Sequence, residues 1–379
     1  MPAYLDHNAT TPLAPEVRAI MLRYFDDEYG NAASRTHEYG LRAKQAVQVA
    51  REQVAAVVMA DATEVVFTSG ATEANNLALL GLAPHGEKTG RRHLVTTTIE
   101  HKAVLEPLDA LEARGFEVTR VAVGSSGRVE PEAVVAAVRE DTLVVSVMQA
   151  NNETGVLQSI AEIAAGLAVR EAYFHVDAAQ AFGKVLDDLR HPRVDLISAS
   201  AHKLYGPKGV GALIARRRGQ ARPPLTPLMY GGGHERGLRP GTLPVPLIAG
   251  FGAAAELALR EHASRAAACR ARRARALEAL GALGLQPIGD QSHVLPHVLM
   301  CAFPGVDSEA LILSLKDVAA LSNGSACTSA SYQPSHVLTA MQLPDAVVEG
   351  AVRLSWSHLG DEPPWALIAE RVGDLSAVV

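Results

Sequence analysis

The chain has 379 residues, 48% hydrophobic but only 4% aromatic, so Ala and Val must build most of its core. That length exceeds one compact core and leads to the expectation of a large domain with a smaller one beside it. A formal net charge of −6 argues against nucleic-acid binding through global charge, and three scattered cysteines without a CxxC pair argue against a disulfide framework or a zinc cluster.

The opening MPAYLDHNATTP lacks the basic end and apolar run of a secretory signal. No stretch approaches the ~18 apolar residues of a membrane span. These features lead to the expectation of a cytoplasmic protein with no membrane partner. From residue 64 onward, short β-branched runs alternate with helical Ala/Leu/Glu segments, the pattern of a mainly parallel α/β sheet. The first run, EVVFTS (64–69), passes through Ser69-Gly70-Ala71-Thr72 into a helix. Free backbone N–H groups and the helix dipole make such a start suited to phosphate. Neither GxxxxGK[ST] nor a GxGxxG after a strand accompanies it. HLVTTT (93–98) leads to His101, either a satisfied structural histidine or a ring-stacking proton carrier.

FEVTRV (116–121) and TLVVSVMQ (142–149) continue the alternation, the latter running on to Asn151 and Asn152, turn formers or cofactor contacts. YFHVDAA (173–179) places Asp177 at the end of an apolar strand. An N-cap role and partnership with a buried cation, such as a protonated pyridine nitrogen, are both open for it. Gln180, three residues on, could hydrogen-bond a phenolate oxygen. DLISASA (195–201) delivers Ser200, His202 and Lys203 ahead of a Gly-Pro-Lys-Gly turn. A lysine held there could form a Schiff base, with Ser200 and His202 adding phosphate contacts. An anion hole, a carboxylate for a ring nitrogen and a Schiff-base lysine together describe a pyridoxal 5'-phosphate site.

GGGHERGLRPGT (231–242) cannot be placed from spacing alone. Beyond Leu247 comes one long or once-broken Ala/Arg/Glu helix, whose arginines from Arg270 to Arg275 read as a solvated face. HVLMCAF, a helix from Ser308 and VRLSWS (352–357) suggest a small α+β domain. Between the last two lies LSNGSACTSASYQPS (321–335), a turn-rich polar run carrying Cys327. Either Cys327 is an incidental surface thiol, or the loop exists to carry it.

The motifs YLDHNATTP, GNAASRTH, FTSGATEANN, EHKAVL, NNETGV, HVDAAQ, SAHKLYGPKG, GGGHERGLRPGTLPV, NGSACTSASYQPSHVL and VRLSW follow in order from residue 4 to 356. In that combination the chain resembles the cysteine desulfurases, the NifS/IscS-like branch of the class V aminotransferases of pyridoxal-phosphate fold-type I. The resemblance implies a large domain with a mainly parallel seven-stranded sheet between helices over residues 13–250. Residues 1–12 and 251–379 would form the smaller α+β domain. Lys203 would hold the cofactor covalently and shuttle protons, Asp177 would keep the pyridine nitrogen protonated, Gln180 would contact the ring oxygen and His101 would stack on the ring. Ala71, Thr72, Ser200 and His202 would surround the phosphate, with Thr242 reaching across a homodimer interface. Asn152, also a cofactor contact, and Arg353 would hold the carboxylate of L-cysteine, which suits a planar guanidinium fork. Cys327 would attack the substrate sulfur, leaving L-alanine and a persulfide, with His101 accepting the thiol proton.

NGSACTSAS resembles the long-loop group of the family. The resemblance weakens after VRLSW, where Ser357-His358 replaces the usual Gly-Arg and the chain stops at Val379, short of the tail that helps housekeeping members dock their scaffold. The sulfur acceptor is therefore left between an iron–sulfur scaffold protein and an enzyme of sulfur modification, in DNA phosphorothioation or tRNA thiolation. No metal and no direct nucleic-acid contact are expected. Another fold-type I activity, such as a selenocysteine lyase, a carbon–sulfur lyase or an aminotransferase, stays open, as does a cofactor-free scaffold protein.

Overall fold

The computed structural model describes residues 1–323 and 334–376. From the N-terminus, β1 (Ala3–Tyr4) is followed by α1 (Pro15–Asp26), α2 (Glu38–Val57), β2 (Val65–Thr68), α3 (Ala71–Thr89), β3 (His93–Thr97) and α4 (Lys102–Glu112). Then come β4 (Glu117–Val121), α5 (Pro131–Ala136), β5 (Thr142–Met148), α6 (Ile160–Gly166), β6 (Tyr173–Asp177), β7 (Leu196–Ser200) and β8 (Gly211–Ala215). Seven of these strands form one sheet in the order β2-β8-β7-β6-β5-β3-β4. It is parallel except for β8, which runs antiparallel to both neighbours. β8 is GALIA, which follows the Gly-Pro-Lys-Gly turn and opens on Gly211, hiding its strand character.

Strand residues alternate between two apolar faces. Val66, Leu94, Val144, Leu196 and Leu213 pack with α3 and α4. Their neighbours Phe67, Val95, Val145, Ile197 and Ile214 pack with α2, α5 and α6, and with α7 (Val245–Arg260). With both faces covered, the parallel strands bring their C-terminal ends to one edge, where ligands bind in such sheets. Met148, Asp177 and Ser198 lie side by side across β5, β6 and β7 there.

The long Ala/Arg/Glu helix breaks once, at Glu261, into α7 and α8 (His262–Gly281). A second core joins α8 to β10 (Val298–Ala302), α9 (Ser308–Leu315) and β11 (Ala319–Ala320), with the exposed β9 (Gln286–Pro287) before them. After α10 (His336–Ala340) and α11 (Asp345–Glu349), β12 (Val352–Ser355) and α12 (Trp365–Ser376) complete it. β12, β10 and β9 form an antiparallel sheet, and β1 pairs with β11. Leu5 belongs to this second core, whereas Thr11 and Ala14 donate their N–H groups to His202 and Tyr205 carbonyls of the first. The N-terminal segment is thus a strap between the two cores.

The solvated-face reading of Arg270–Arg275 is corrected. Arg270 and Arg275 are exposed, but Arg272 is buried and donates to the carbonyls of Ser357, Leu359 (3.0 Å) and Gly360. Arg273 donates to the Val298 carbonyl and to Gln291. Composition could not separate the two faces, because the carbonyls they grip lie at least 25 residues away.

Candidate active site

A cavity of about 620 Å³ opens at the C-terminal edge of the large sheet, within the ~300–1,000 Å³ usual for small-molecule sites. Ala71, Thr72, His101, Asn152, Asp177, Gln180, Ser200, His202, Lys203 and Arg353 all line it. Thr242 is exposed and does not line it. Cys327 lies outside the described residues.

One end of the cavity is the start of α3. The first N–H groups of a helix have no intrahelical acceptor, and here they face the cavity from Ala71 and Thr72. Glu73 does not compete for the site. Its carboxylate accepts from the Ser69 N–H at 2.7 Å and from Arg239 Nε at 3.0 Å. Burial pushes the Glu73 carboxyl up, but these bonds hold it below its usual value. The unplaced glycine-rich segment now has a position. Glu235 accepts from both terminal nitrogens of Arg51 (2.8 and 2.6 Å) and from the Phe67 N–H (2.8 Å), so 231–242 braces β2 from behind. Ser200 and His202 close this end from β7, and Lys208 adds a positive charge. Burial first, then Lys203 and Lys208, bring the His202 imidazole down to about 4. It is therefore neutral at pH 7, with Nδ1 at 3.2 Å from Thr10 Oγ1.

The opposite wall carries Asp177, only 4% exposed. Its Oδ2 accepts from Asn75 Nδ2 at 2.7 Å and its Oδ1 from the Ala179 N–H at 2.9 Å. The local turn bond expected of a capping residue and an aim into the cavity therefore coexist. His101 is likewise both things. As the N-cap of α4 it accepts the Ala103 N–H on Nδ1 at 3.0 Å, leaving Nε2 to carry the proton of the neutral ring. Burial holds its imidazole below the usual value, Lys203 adds to this, and Asp177 opposes it.

Lys203 Nζ donates to the Asn8 carbonyl and, at 2.7 Å, to the Ala9 carbonyl. Gln180 Nε2 shares the Asn8 carbonyl at 3.0 Å. The strap thus holds the amine and the amide in register. Arg353, 3% exposed, gives Nη2 to Asp6 (2.6 Å) and Nη1 to the Asn152 carbonyl (2.8 Å). Asn151 turns out to be the turn former: its Oδ1 accepts the Glu153 and Thr154 N–H groups, both at 2.9 Å.

Asn8 and Asn75 escaped assignment. Asn8 acts through its backbone, which no sequence pattern reports; Asn75 lies within FTSGATEANN, but only its proximity to Asp177 reveals its role. Among the described residues, Asn8 Oδ1, Asn75 Oδ1, Asn152 Oδ1, Gln180 Oε1 and Arg353 Nε are buried polar atoms without a partner. Such atoms are costly unless a ligand satisfies them. A molecule with a phosphate at one end, a cationic ring nitrogen and an electrophilic carbon near Lys203 fits these donors and acceptors. That is the outline of pyridoxal phosphate.

The Aminotransferase class-V family matches residues 3–361. The chain is 50% identical over 367 residues to the cysteine desulfurase IscS of Anaeromyxobacter dehalogenans, covering 96% of this chain and 89% of that one. The crystal structure of DndA from Streptomyces lividans superposes with a TM-score of 0.82 at 52% identity, over 94% of this chain and 99% of that one. An SspA in complex with cysteine superposes with a TM-score of 0.83 at 34% identity, over 95% and 100%.

Proposed function

Because the chain belongs to the aminotransferase class-V family, we infer that it is a pyridoxal-phosphate-dependent cysteine desulfurase, converting L-cysteine to L-alanine with transfer of the sulfur to the enzyme. The observation that carries the reading is the placement of Lys203, Asp177 and His101 around one cavity that ends at the start of α3. When bound, the cofactor supplies an aldehyde that captures an amine and a ring that draws electrons from the substrate Cα.

The chain's own residues do the rest. Lys203 Nζ, oriented by two carbonyls, would hold the cofactor and then carry the Cα proton. Asp177, oriented by Asn75, presents negative charge to the ring nitrogen. The second hydrogen of Gln180 Nε2 suits a phenolate oxygen, and the α3 N-terminus with Ser200 and His202 suits the phosphate. Arg353, through Nε and its remaining Nη hydrogens, and Asn152 face the substrate carboxylate. Cys327 attacks the substrate sulfur: an S–S bond forms, the Cβ–S bond breaks and leaves its electron pair on the substrate, and the proton from the Cys327 thiol on Cβ, with the Cα proton returned, completes alanine. The other cysteines suit this poorly. Cys269 and Cys301 are buried, and burial pushes the Cys301 thiol up to about 12.

Three further parts belong to the same proposal. The large unit begins near residue 13, and the smaller one takes up the strap and the chain after α7, which stays in the larger core as far as Ala258. The protein pairs as a homodimer with Thr242 reaching the partner's phosphate end. Exposed Ile20, Leu22 and Phe25 on α1, with Met229 and Tyr230, support such a contact. The persulfide passes to a protein acceptor, an iron–sulfur scaffold or a sulfur-modification enzyme.

Cys327→Ser tests the central step. The variant is expected to keep its visible cofactor band and lose at least 100-fold of its alanine release from cysteine, as for removal of an essential nucleophile. Undiminished alanine release would instead favour a lyase that does not use a protein thiol.

A further inference from the structure

A second cavity, of about 50 Å³, lies where the turn after β6 meets α7 and α8. Lys184, His262, Arg265, Cys269, His297 and His358 line it. The turn that aims Lys184 requires glycine at 183. Gly183 has φ +72, and a Cβ there would stand 2.8 Å from Leu204 Cδ1. Lys184 Nζ donates to His297 Nε2 at 3.2 Å, its only side-chain partner among the described residues. Two ammonium hydrogens therefore have no acceptor among the described residues.

The lining holds no carboxylate. Glu261, whose charge reaches His358, is held by Arg260 at 2.8 Å and Arg265 at 2.9 Å. His262 Nε2 bonds the Lys184 carbonyl at 2.9 Å, and His358 stands edge-on to Tyr205 at 4.5 Å. A metal does not fit: no group of three or more His, Cys, Asp or Glu is arranged to hold one among the described residues. The Lys184 ammonium, with no carboxylate in the lining, is unfavourable there without a counter-charge. An anion would supply that charge.

We propose that this cavity binds one small monovalent anion, of the size of chloride or hydrosulfide, on the Lys184 ammonium that His297 holds in place, with the Arg265 guanidinium in the same lining. Its volume exceeds the ~10–15 Å³ that one water-sized occupant needs. Burial, then repulsion from Lys203, brings the Lys184 ammonium down to about 7, so a neighbouring anion decides whether it is charged. Leu204 and Tyr205, which follow Lys203 directly, form part of the same wall. Occupancy therefore bears on the catalytic lysine, a consequence that rests on the proposed function, whereas the binding itself does not. Chloride is a general salt ion; hydrosulfide is what a reducing thiol releases from a persulfide.

The test is the 35Cl NMR linewidth of sodium chloride titrated with holoenzyme saturated in pyridoxal phosphate, which keeps the phosphate end of the large cavity filled. Excess broadening is expected to fall at least tenfold in Lys184→Met and at least threefold in His297→Gln, which keeps the lysine, and to persist in Arg353→Lys. No broadening by the wild type, broadening that survives Lys184→Met and His297→Gln, or broadening lost only in Arg353→Lys overturns the proposal. Sodium hydrosulfide is added as a second arm. Recovery of the narrow line at a tenth of the chloride concentration assigns the site to hydrosulfide, and no recovery assigns it to chloride. None of these readouts measures turnover, so failure here leaves the desulfurase reading intact.

Discussion

Asp177 shows how a site residue depends on a neighbour whose role its own motif does not reveal. Its carboxylate is buried with two donors, Asn75 and the Ala179 N–H, and only the first can be removed by substitution. A hydrogen bond to a charged group contributes about 1.5–3 kcal/mol. Asn75→Ala is therefore expected to weaken pyridoxal phosphate binding about 10- to 100-fold by fluorescence titration of the apoprotein, with little change in melting temperature. An unchanged affinity would mean that Asp177 needs no such orienting partner. His101 carries the same lesson in another form, since one ring nitrogen caps α4 while the other is left for the cavity. Both roles were legible as alternatives in the sequence, but that they are simultaneous was not.

Elements are placed by close approaches that single side chains would spoil. In β8, a Cβ on Gly211 would stand 2.7 Å from Gly70 Cα and 2.4 Å from the Ala199 carbonyl. The start of α3 can sit against the sheet only because that position is bare. Gly211→Ala is expected to lower cofactor affinity at least tenfold by displacing residues 69–72. Gly124→Ala, where a Cβ meets nothing within 4 Å, is expected to leave it unchanged. On α8, Arg272 holds three carbonyls of the segment after β12. Arg272→Ala should cost about 2–3 kcal/mol in urea denaturation, and Arg270→Ala less than about 0.5. Equal effects would return the whole arginine cluster to the solvated face expected from composition. The strands with β-branched runs were readable because alternation and burial agree; β8 was not, because its Gly211 serves a contact made with Gly70, over 100 residues earlier.

At the scale of the molecule, two apolar cores joined by the N-terminal strap bury an unusual number of histidines, and this sets the response to acid. Burial above all brings His175 to about 3, His7 and His358 to about 4, and His297 below its usual value. As pH falls through 6.5, the unfolded chain takes up these protons and the native chain does not, so stability is lost. Glu100, raised by burial to about 8, and Glu153, also raised by burial, act in the opposite direction, because the native state holds their protons first. His202, at about 4, and His93 and His101, also lowered by burial, add to the histidines, which outweigh Glu100, Glu153 and Asp188, the last also raised by burial. Lowering pH from 6.5 to 5.5 should therefore decrease unfolding free energy by about 1–3 kcal/mol, read from urea midpoints. A midpoint that rises over that interval would show the carboxyls dominating. By itself the sequence determined the α/β class, the strand ends that carry the chemistry and the family, since these rest on local periodicity and on motifs contiguous in the chain. Only the tertiary structure decided that Asn8 and Asn75 orient Lys203 and Asp177, that 231–242 braces β2, and that Lys184 faces a second cavity. Those placements depend on contacts between residues far apart in the chain, whose free energy exists only once both cores are packed.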